Sequence, residues 1–326
     1  MTSESQSFSP ENEADRLALF RRVSTHGLSF ETNRFGTFIG VLPLSVPDGI
    51  RILVYSDTQC HHPGVMNGVF DFADWWRPHI AVHVGDFMEN WWLSLHSANA
   101  YAPSPSSPQD EVESVAANLR MIMSRGNPFA TFVIHGNHDS SRVTNFVSKF
   151  APILARLLGK DRESLMSLAS RMGFEPQERL TFINGVGLKG GVEGGLLVNG
   201  LTKFHHGKRV RPRPGDSAWA HYLQNFMSNA IGHVHRLGHT AVQPHSGVAI
   251  ELVESGCLID WRRPEYAYQP EHNWHHGFVV VTCHNGVIYM QPIPIIEGLD
   301  ETGQLHKFFV YLDELGQPKI FKCYDN

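Results

Sequence analysis

Three short apolar runs, each closed by side chains able to bind a cation, constrain this chain more than any other feature. Phe129-Ala130-Thr131-Phe132-Val133-Ile134 follows Gly126-Asn127-Pro128 and runs into Gly136-Asn137-His138-Asp139. A run this short, β-branched and bounded by turn residues reads as a buried strand. Ile50 to Tyr55 has the same character and ends in Ser56-Asp57-Thr58-Gln59, and His79 to Val84 ends in Gly85-Asp86-Phe87-Met88-Glu89. On an extended backbone, side chains two apart project to one side, which groups Asp57 with Gln59. Between the second and third runs, Val112, Val115, Ala116, Leu119, Ile122 and Met123 recur at helical spacing. Strand and helix thus alternate, as in an α/β fold, where ligands bind beyond the carboxyl ends of the strands.

The later chain adds two more such ends. Leu196-Leu197-Val198, Asn199-Gly200 and Leu201 to Phe204 form a hairpin pattern, with Asn-Gly supplying the positive φ angles of a type I′ turn. Its second strand ends at His205-His206-Gly207; a helix is predicted from about Ser217 to Met227, and Ala230-Ile231 then ends in Gly232-His233-Val234-His235. Strands are predicted at Thr37 to Leu42, Val248 to Val253, Gly277 to Cys283 and Val287 to Gln291, and the glycine-rich stretch Gly185 to Gly195 reads as turns. Residues 1 to 9 read as disordered, Ala14 to Phe20 and Phe146 to Leu158 as amphipathic, Ala102 to Pro108 as an exposed loop and Ser164 to Met172 as a helix. The predicted organisation is an N-terminal segment over 1–48, a central domain over 49–291 and a C-terminal extension over 292–326.

Composition narrows the partners. A net charge of −5 gives no general attraction to nucleic acid or anionic membrane, so such a partner requires a local patch such as Lys208, Arg209, Arg211 and Arg213. No signal peptide and no bilayer-length apolar run stands out, and the expectation is a cytoplasmic protein with no membrane partner. The four cysteines, Cys60, Cys257, Cys283 and Cys323, form no Cys-x-x-Cys pair and read as free thiols. The 20 histidines, several doubled, suggest metal binding.

Taken singly, Asp57 reads as a turn residue, Asp86 as a helix cap, and His83, His135, His221 and His239 as structural or surface histidines. Trp75-Trp76 and Trp91-Trp92 fit core packing better than base stacking. Together, the ordered set Asp-x-Gln, Gly-Asp-x-x-Glu, Gly-Asn-His-Asp, His-Gly, Gly-His-x-His over residues 50 to 240 resembles the calcineurin-like metallophosphoesterase superfamily. The His-Gly-Lys-Arg-Val-Arg continuation is similar to its phage and bacterial branch, described as DNA-repair-exonuclease-like.

The resemblance implies an α/β fold, a four-layer α/β/β/α sandwich of two mixed sheets flanked by helices. It assigns Asp57, Gln59, Asp86 and His235 to one divalent metal and Asp86, Asn137, His206 and His233 to another, with Asp86 bridging; Mn²⁺ is expected, with Zn²⁺, Fe²⁺ and Ni²⁺ as alternatives. His138 is implied as general acid or electrostatic stabiliser, oriented by Glu89. Water activated between the two ions would attack the phosphorus in line.

The chain departs from the family at Gln59, where His is usual, which leaves His61 or His62 as an alternative ligand, and at Glu89, where Asp is commoner. His206 is preferred to His205 because it precedes Gly207. Asn90-Trp91-Trp92 stands where protein phosphatases of the superfamily carry Arg. The expectation is a phosphodiesterase or nuclease on DNA or a nucleotide, with Arg209, Arg211 and Arg213 drawing in phosphates. A phosphomonoesterase and a non-catalytic metal-binding scaffold are the alternatives.

Overall fold

The computed structural model describes residues 37–59, 63–90, 93, 107–143, 172–174, 179–185, 193–243, 247, 249–259, 273–299 and 302–323. Cys60, His61, His62, Trp91 and Trp92, the predicted helices at 14–20 and 164–172, and the amphipathic stretch at 146–158 lie outside them, or nearly so in the case of Met172. Two mixed sheets form the body. The first orders its seven strands β1 (Thr37–Ile39), β6 (Leu180–Asn184), β5 (Ala130–Ile134), β4 (Ile80–His83), β3 (Arg51–Tyr55), β12 (Gly277–His284) and β13 (Val287–Pro294). Its five strands from β1 to β3 are parallel, and β12 and β13 join antiparallel. The second orders β10 (Leu237–Val242), β11 (Ile250–Ser255), β9 (Ser228–Ile231), β8 (Thr202–His205), β7 (Gly195–Val198) and β2 (Val41–Leu44).

The sheets meet through alternate strand residues. Ile52, Val54, Ile80, Val82, Phe132 and Ile134 of the first face Leu42, Leu44, Leu196, Val198, Phe204 and Val253 of the second in one buried cluster. The opposite face of the first sheet packs on α1 (Pro63–Trp76) and α2 (Pro108–Met121), and the second carries α3 (Asp216–Asn225). These are the four layers expected. Helix α2 starts on a capping box between Ser107 and Asp110 with Pro108 next to the cap, which satisfies orphan amides at its first turn.

The predicted strand Thr37 to Leu42 is two strands. Gly40, at φ 125°, bends the chain so that β1 pairs with β6 in one sheet while β2 pairs with β7 in the other. Strand β6, unread because it abuts the glycine-rich stretch, and β10, whose residues alternate with little apolar contrast, are additions. At the Asn-Gly hairpin both φ angles are positive, 51° and 70°, but Val198 pairs with Thr202, so the loop takes in Leu201 as well.

Beyond β13, β14 (Ile296–Leu299), β15 (Leu305–Leu312) and β16 (Pro318–Cys323) make a third, antiparallel sheet. It packs on α1 around Phe72, whose ring contacts Trp75, Trp76, Phe278, Phe309, Tyr311 and Phe321. Trp75 and Trp76 thus pack on the third sheet, in line with the core reading. Gly68 lets the sheet approach, since a β-carbon there would stand 2.5 Å from Cys323 Sγ. Cys257, Cys283 and Cys323 are buried, and none of the three is in a disulfide.

Candidate metal centre

Five strands deliver their carboxyl ends to one edge of the sandwich: β3, β4 and β5 from the first sheet, β8 and β9 from the second. The chain past each end turns sharply. Asp57, Gln59, Asp86, His233 and His235 all take positive φ, between 39° and 70°. Such backbone costs of order 1–3 kcal/mol per non-glycine residue, and its concentration here marks a site held by its surroundings.

Asp57 ties the two sheets together. Its Oδ2 accepts the His233 N–H at 2.9 Å and the Ser56 hydroxyl at 2.5 Å, and its carbonyl accepts the Leu258 N–H at 3.1 Å. Its Oδ1 is buried without a hydrogen-bond partner, although His235 Nε2 lies 3.1 Å away. The short approach without hydrogen-bond alignment is what two ligands aimed at a common cation produce. Burial alone would raise this carboxyl, but His235 and His206 hold it below the usual range.

Asp86 stands at the centre. Its Oδ1 accepts the His138 N–H at 2.8 Å, and its Oδ2 lies 3.2 Å from His206 Nε2. Burial opposes its ionisation, yet His138 and His206 hold it well below the ordinary carboxylate value. Ligand atoms of Asp86, His206 and His233 all fall within 4.8 Å of one another. His206 Nδ1 sits 2.9 Å from the Val84 carbonyl, an acceptor only, so Nδ1 carries a proton and the Nε2 edge turns inward. That Nε2 is 2.9 Å from Asn137 Oδ1. In the neutral tautomer two acceptors would face each other, an arrangement that a shared cation stabilises. Here burial would lower the imidazole, but Asp86 and Asp57 push it up to about 9, so a proton can occupy the position a divalent ion would take. His233 packs edge-on to His206 at 5.0 Å, and burial with the His206 charge lowers it to about 4, leaving a neutral ring. The donor set fits a divalent metal pair.

Gln59 joins this edge with its Nε2 3.3 Å from His138 Nδ1 and 3.5 Å from His235 Nε2. Glu89 Oε2 lies 3.3 Å from His138 Nδ1. His205, by contrast, points away: its Nδ1 is 2.8 Å from Glu193 Oε2, which His221 Nδ1 approaches at 3.6 Å. Arg211 and Arg213 are exposed on the loop that follows His206, with Arg209 half-buried. The loop is tied to the centre from behind, because Arg236, next to His235, donates to the Pro212 carbonyl and the Ser217 hydroxyl.

Several supporting residues escape a reading by strand ends. Asp139 is buried, its Oδ2 accepting the Asp86 and Gly136 N–H groups at 2.8 and 2.7 Å and its Oδ1 the Met88 N–H at 2.9 Å. Burial and the Asp86 charge push its carboxyl up to about 8 against those donors. Glu111, on α2, accepts the Glu89 and Asn90 N–H groups, and Asn90 donates to the His138 carbonyl at 2.9 Å. Trp274 packs on His235 with ring centres 4.4 Å apart. Arg142 contacts both Glu89 and His138. A signal existed only for Asp139, inside Gly-Asn-His-Asp. Gly136 is required because a β-carbon there would overlap the Asp86 carboxylate.

The sequence matches the model of the calcineurin-like phosphoesterases over residues 50–289, and the chain belongs to that family. It is a hydrolase of phosphoric esters, and the family works with a dinuclear divalent metal centre. Among its relatives is the Gene 54 protein of Mycobacterium phage D29, 27% identical over 265 residues, covering 76% of this chain and 94% of the phage protein. The Gene 54 protein of Mycobacterium phage L5 is 26% identical over 261 residues with the same coverage. Similar solved structures include a dimetal phosphatase from Danio rerio, with TM-score 0.39 and 14% identity over 76% of this chain and 96% of that one. Vps29 of Chaetomium thermophilum gives TM-score 0.37 and 8% identity over 85% of this chain and all of that one. Among the described residues no helix is long and apolar enough to cross a membrane.

Proposed function

We propose that this phosphoesterase is a metal-dependent phosphodiesterase or nuclease acting on DNA or a nucleotide. The carrying observation is the convergence on Asp86: His206 Nε2 and Asn137 Oδ1 on one side, Asp57 Oδ1 and His235 Nε2 on the other, each pair close without a neutral hydrogen bond to explain it. Asp57, Gln59, Asp86 and His235 would hold one ion, and Asp86, Asn137, His206 and His233 the other, Mn²⁺ being the proposed metal. Bound there, the two cations would polarise the phosphoryl oxygens and acidify water for attack at neutral pH.

The chain's own residues do the rest. Asp139 fixes the Asp86 and Gly136 main chains, and so the relative placing of the ligands on β4 and β5. Glu89 holds His138 through Nδ1, leaving the Nε2 edge toward Asp86 at 3.8 Å. Arg142 Nη2 faces that nitrogen at 3.0 Å as a donor, so a leaving oxygen would receive a proton from His138 once Nε2 is protonated and that contact gives way. The diester preference rests on the basic loop beside His206. Exposed arginines beside a phosphate site favour a polyanion over a small monoester. Gln59 is neutral where a stronger imidazole ligand is usual, which supports a looser first ion.

The test is metal-stripped protein restored with Mn²⁺, Zn²⁺, Ni²⁺ or Mg²⁺ and offered a bis-aryl phosphodiester, an aryl monoester, and single- and double-stranded DNA. Mn²⁺-dependent cleavage of the diester or DNA, lost in His138→Ala, is expected. Turnover of the monoester alone would reassign the enzyme to the phosphomonoesterases. No turnover of any substrate by folded, metal-loaded protein would refute this reading in favour of a binding scaffold.

A further inference from the structure

We propose that Arg142 is a substrate-binding group of this centre, contacting a non-bridging oxygen of the scissile phosphate. It closes the turn that carries Asn137 and His138, its own N–H bonding the Asn137 carbonyl, so its guanidinium is delivered by the same element as a candidate ligand. That guanidinium is anchored at two points on the end of the neighbouring strand: Nη1 donates to the Glu89 carbonyl at 2.5 Å and to Glu89 Oε1 at 2.6 Å. Its Nη2 stands 3.0 Å from His138 Nε2, the imidazole edge that also faces Asp86. The three contacts use three of a guanidinium's five N–H groups, leaving Nε–H and one Nη2–H for a ligand.

Exposure places the opening here. The side chains of Asp57 and Asp86 are sealed at 0% and 1%, whereas His138 and Arg142 reach 16% and 19%. A phosphate entering toward Asp86 therefore passes the two together. Its charge in the transition state spreads over the equatorial oxygens, and a guanidinium locked by Glu89 meets it with little further loss of rotamer freedom. A lysine would bring charge without the fork that spans Glu89, His138 and phosphate at once. This inference needs the phosphate-ester chemistry of the centre but neither the diester preference nor DNA as substrate.

The bland role for Arg142 is to hold Glu89 and His138 in place, and the test separates the two. Binding of inorganic phosphate to Mn²⁺-loaded protein is followed by calorimetry for wild type, Arg142→Gln and Arg142→Lys, each also in a His138→Ala background, with metal content and thermal midpoint recorded. The expected result is phosphate affinity reduced on the order of tenfold in Arg142→Gln with His138 present or absent, and diester kcat/KM reduced on the order of 100-fold where turnover is measured. Arg142→Lys, which keeps the charge and carries the test should the Gln variant misfold, is expected to recover part of the affinity. Phosphate affinity unchanged in both variants, or a loss that disappears in the His138→Ala background, would overturn the proposal and leave Arg142 a positioning residue. Because binding is read directly, absence of turnover on every substrate would count against the diesterase reading and leave this one standing on its own result.

Discussion

Replacing Asp139 by Asn tests how the centre is built, because the change alters no candidate ligand and almost no volume. In the native chain two N–H groups, from Asp86 and Gly136, share Oδ2, and the Met88 N–H takes Oδ1. The side-chain amide introduced by Asp139→Asn has one acceptor oxygen. If it serves Asp86 and Gly136, the amide nitrogen faces the Met88 N–H, and a buried donor is left without a partner. Above about pH 8, where the Asp139 carboxyl is ionised, two charge-assisted bonds become neutral ones, at a loss of about 1 kcal/mol each, and the orphaned donor adds about 1–3 kcal/mol. The expected destabilisation is therefore about 3 kcal/mol before relaxation. For a chain of 326 residues unfolding with ~2.1 cal/mol/K per residue, this lowers the thermal midpoint by about 4–5 °C. The second expected effect is on the metals. Asp86 and Asn137 owe their relative position to Asp139, and loss of such a support weakens metal affinity by about 10–100-fold. Urea unfolding of metal-free protein at pH 9, where the carboxyl is ionised, measures the first effect, and Mn²⁺ titration the second. A variant within about 0.5 kcal/mol of wild type, binding Mn²⁺ equally well, would refute the claim that these three bonds hold the centre together.

Gly136→Ala is expected to abolish tight Mn²⁺ binding while leaving the far-UV circular dichroism intact, since φ at this position, −90°, suits alanine and only the contact with Asp86 forbids it. Phe72→Ala is expected to cost about 3–5 kcal/mol by equilibrium denaturation, because its buried ring joins α1 to Phe278, Phe309 and Phe321. Glu193, despite the burial that opposes its ionisation, is held down to about 2 by its bond to His205, by the charges that His205 and His221 acquire only at low pH, and by Lys208. A depressed folded value makes its contribution full above the unfolded value near 4.5 and lost as pH falls toward 2. Because burial keeps both imidazoles neutral at pH 7 and Lys208 is half exposed, the contribution is discounted to about 1–2 kcal/mol. Glu193→Gln should therefore unfold more readily than wild type at pH 6, the gap closing by pH 2; a gap independent of pH would refute it.

Much of the centre is legible in the chain because the chemistry lies at strand ends. A buried strand announces itself by an apolar run, and the residue that ends the run must sit at the sheet edge, so Asp57, Asp86, Asn137 and His233 are located by their neighbours alone. The alternation of such runs with a helical pattern carries the α/β class, and the order of the motifs carries the family. Distances within the chain hide the rest. Glu111 meets Glu89 from a helix 22 residues away, Trp274 meets His235 across two strands, and Arg142 reaches Glu89 only because β4 and β5 are parallel neighbours. Local sequence carries no record of such pairings, since many partners satisfy the same propensity.

The doubled His205-His206 shows the division most clearly. Sequence establishes that a strand ends there and that either imidazole can bind metal. Which one faces the centre is decided by the side-chain alternation of β8 and the turn at Gly207, which send His206 to Asp86 and Asn137 and His205 to Glu193. Gly40 shows it at the scale of the fold. Its neighbours read as one strand, and only the packing of two sheets requires that strand to break and serve both. Residue chemistry and strand periodicity are local properties that the chain states directly; convergence is a property of the sheets, created when five strand ends are brought to one edge.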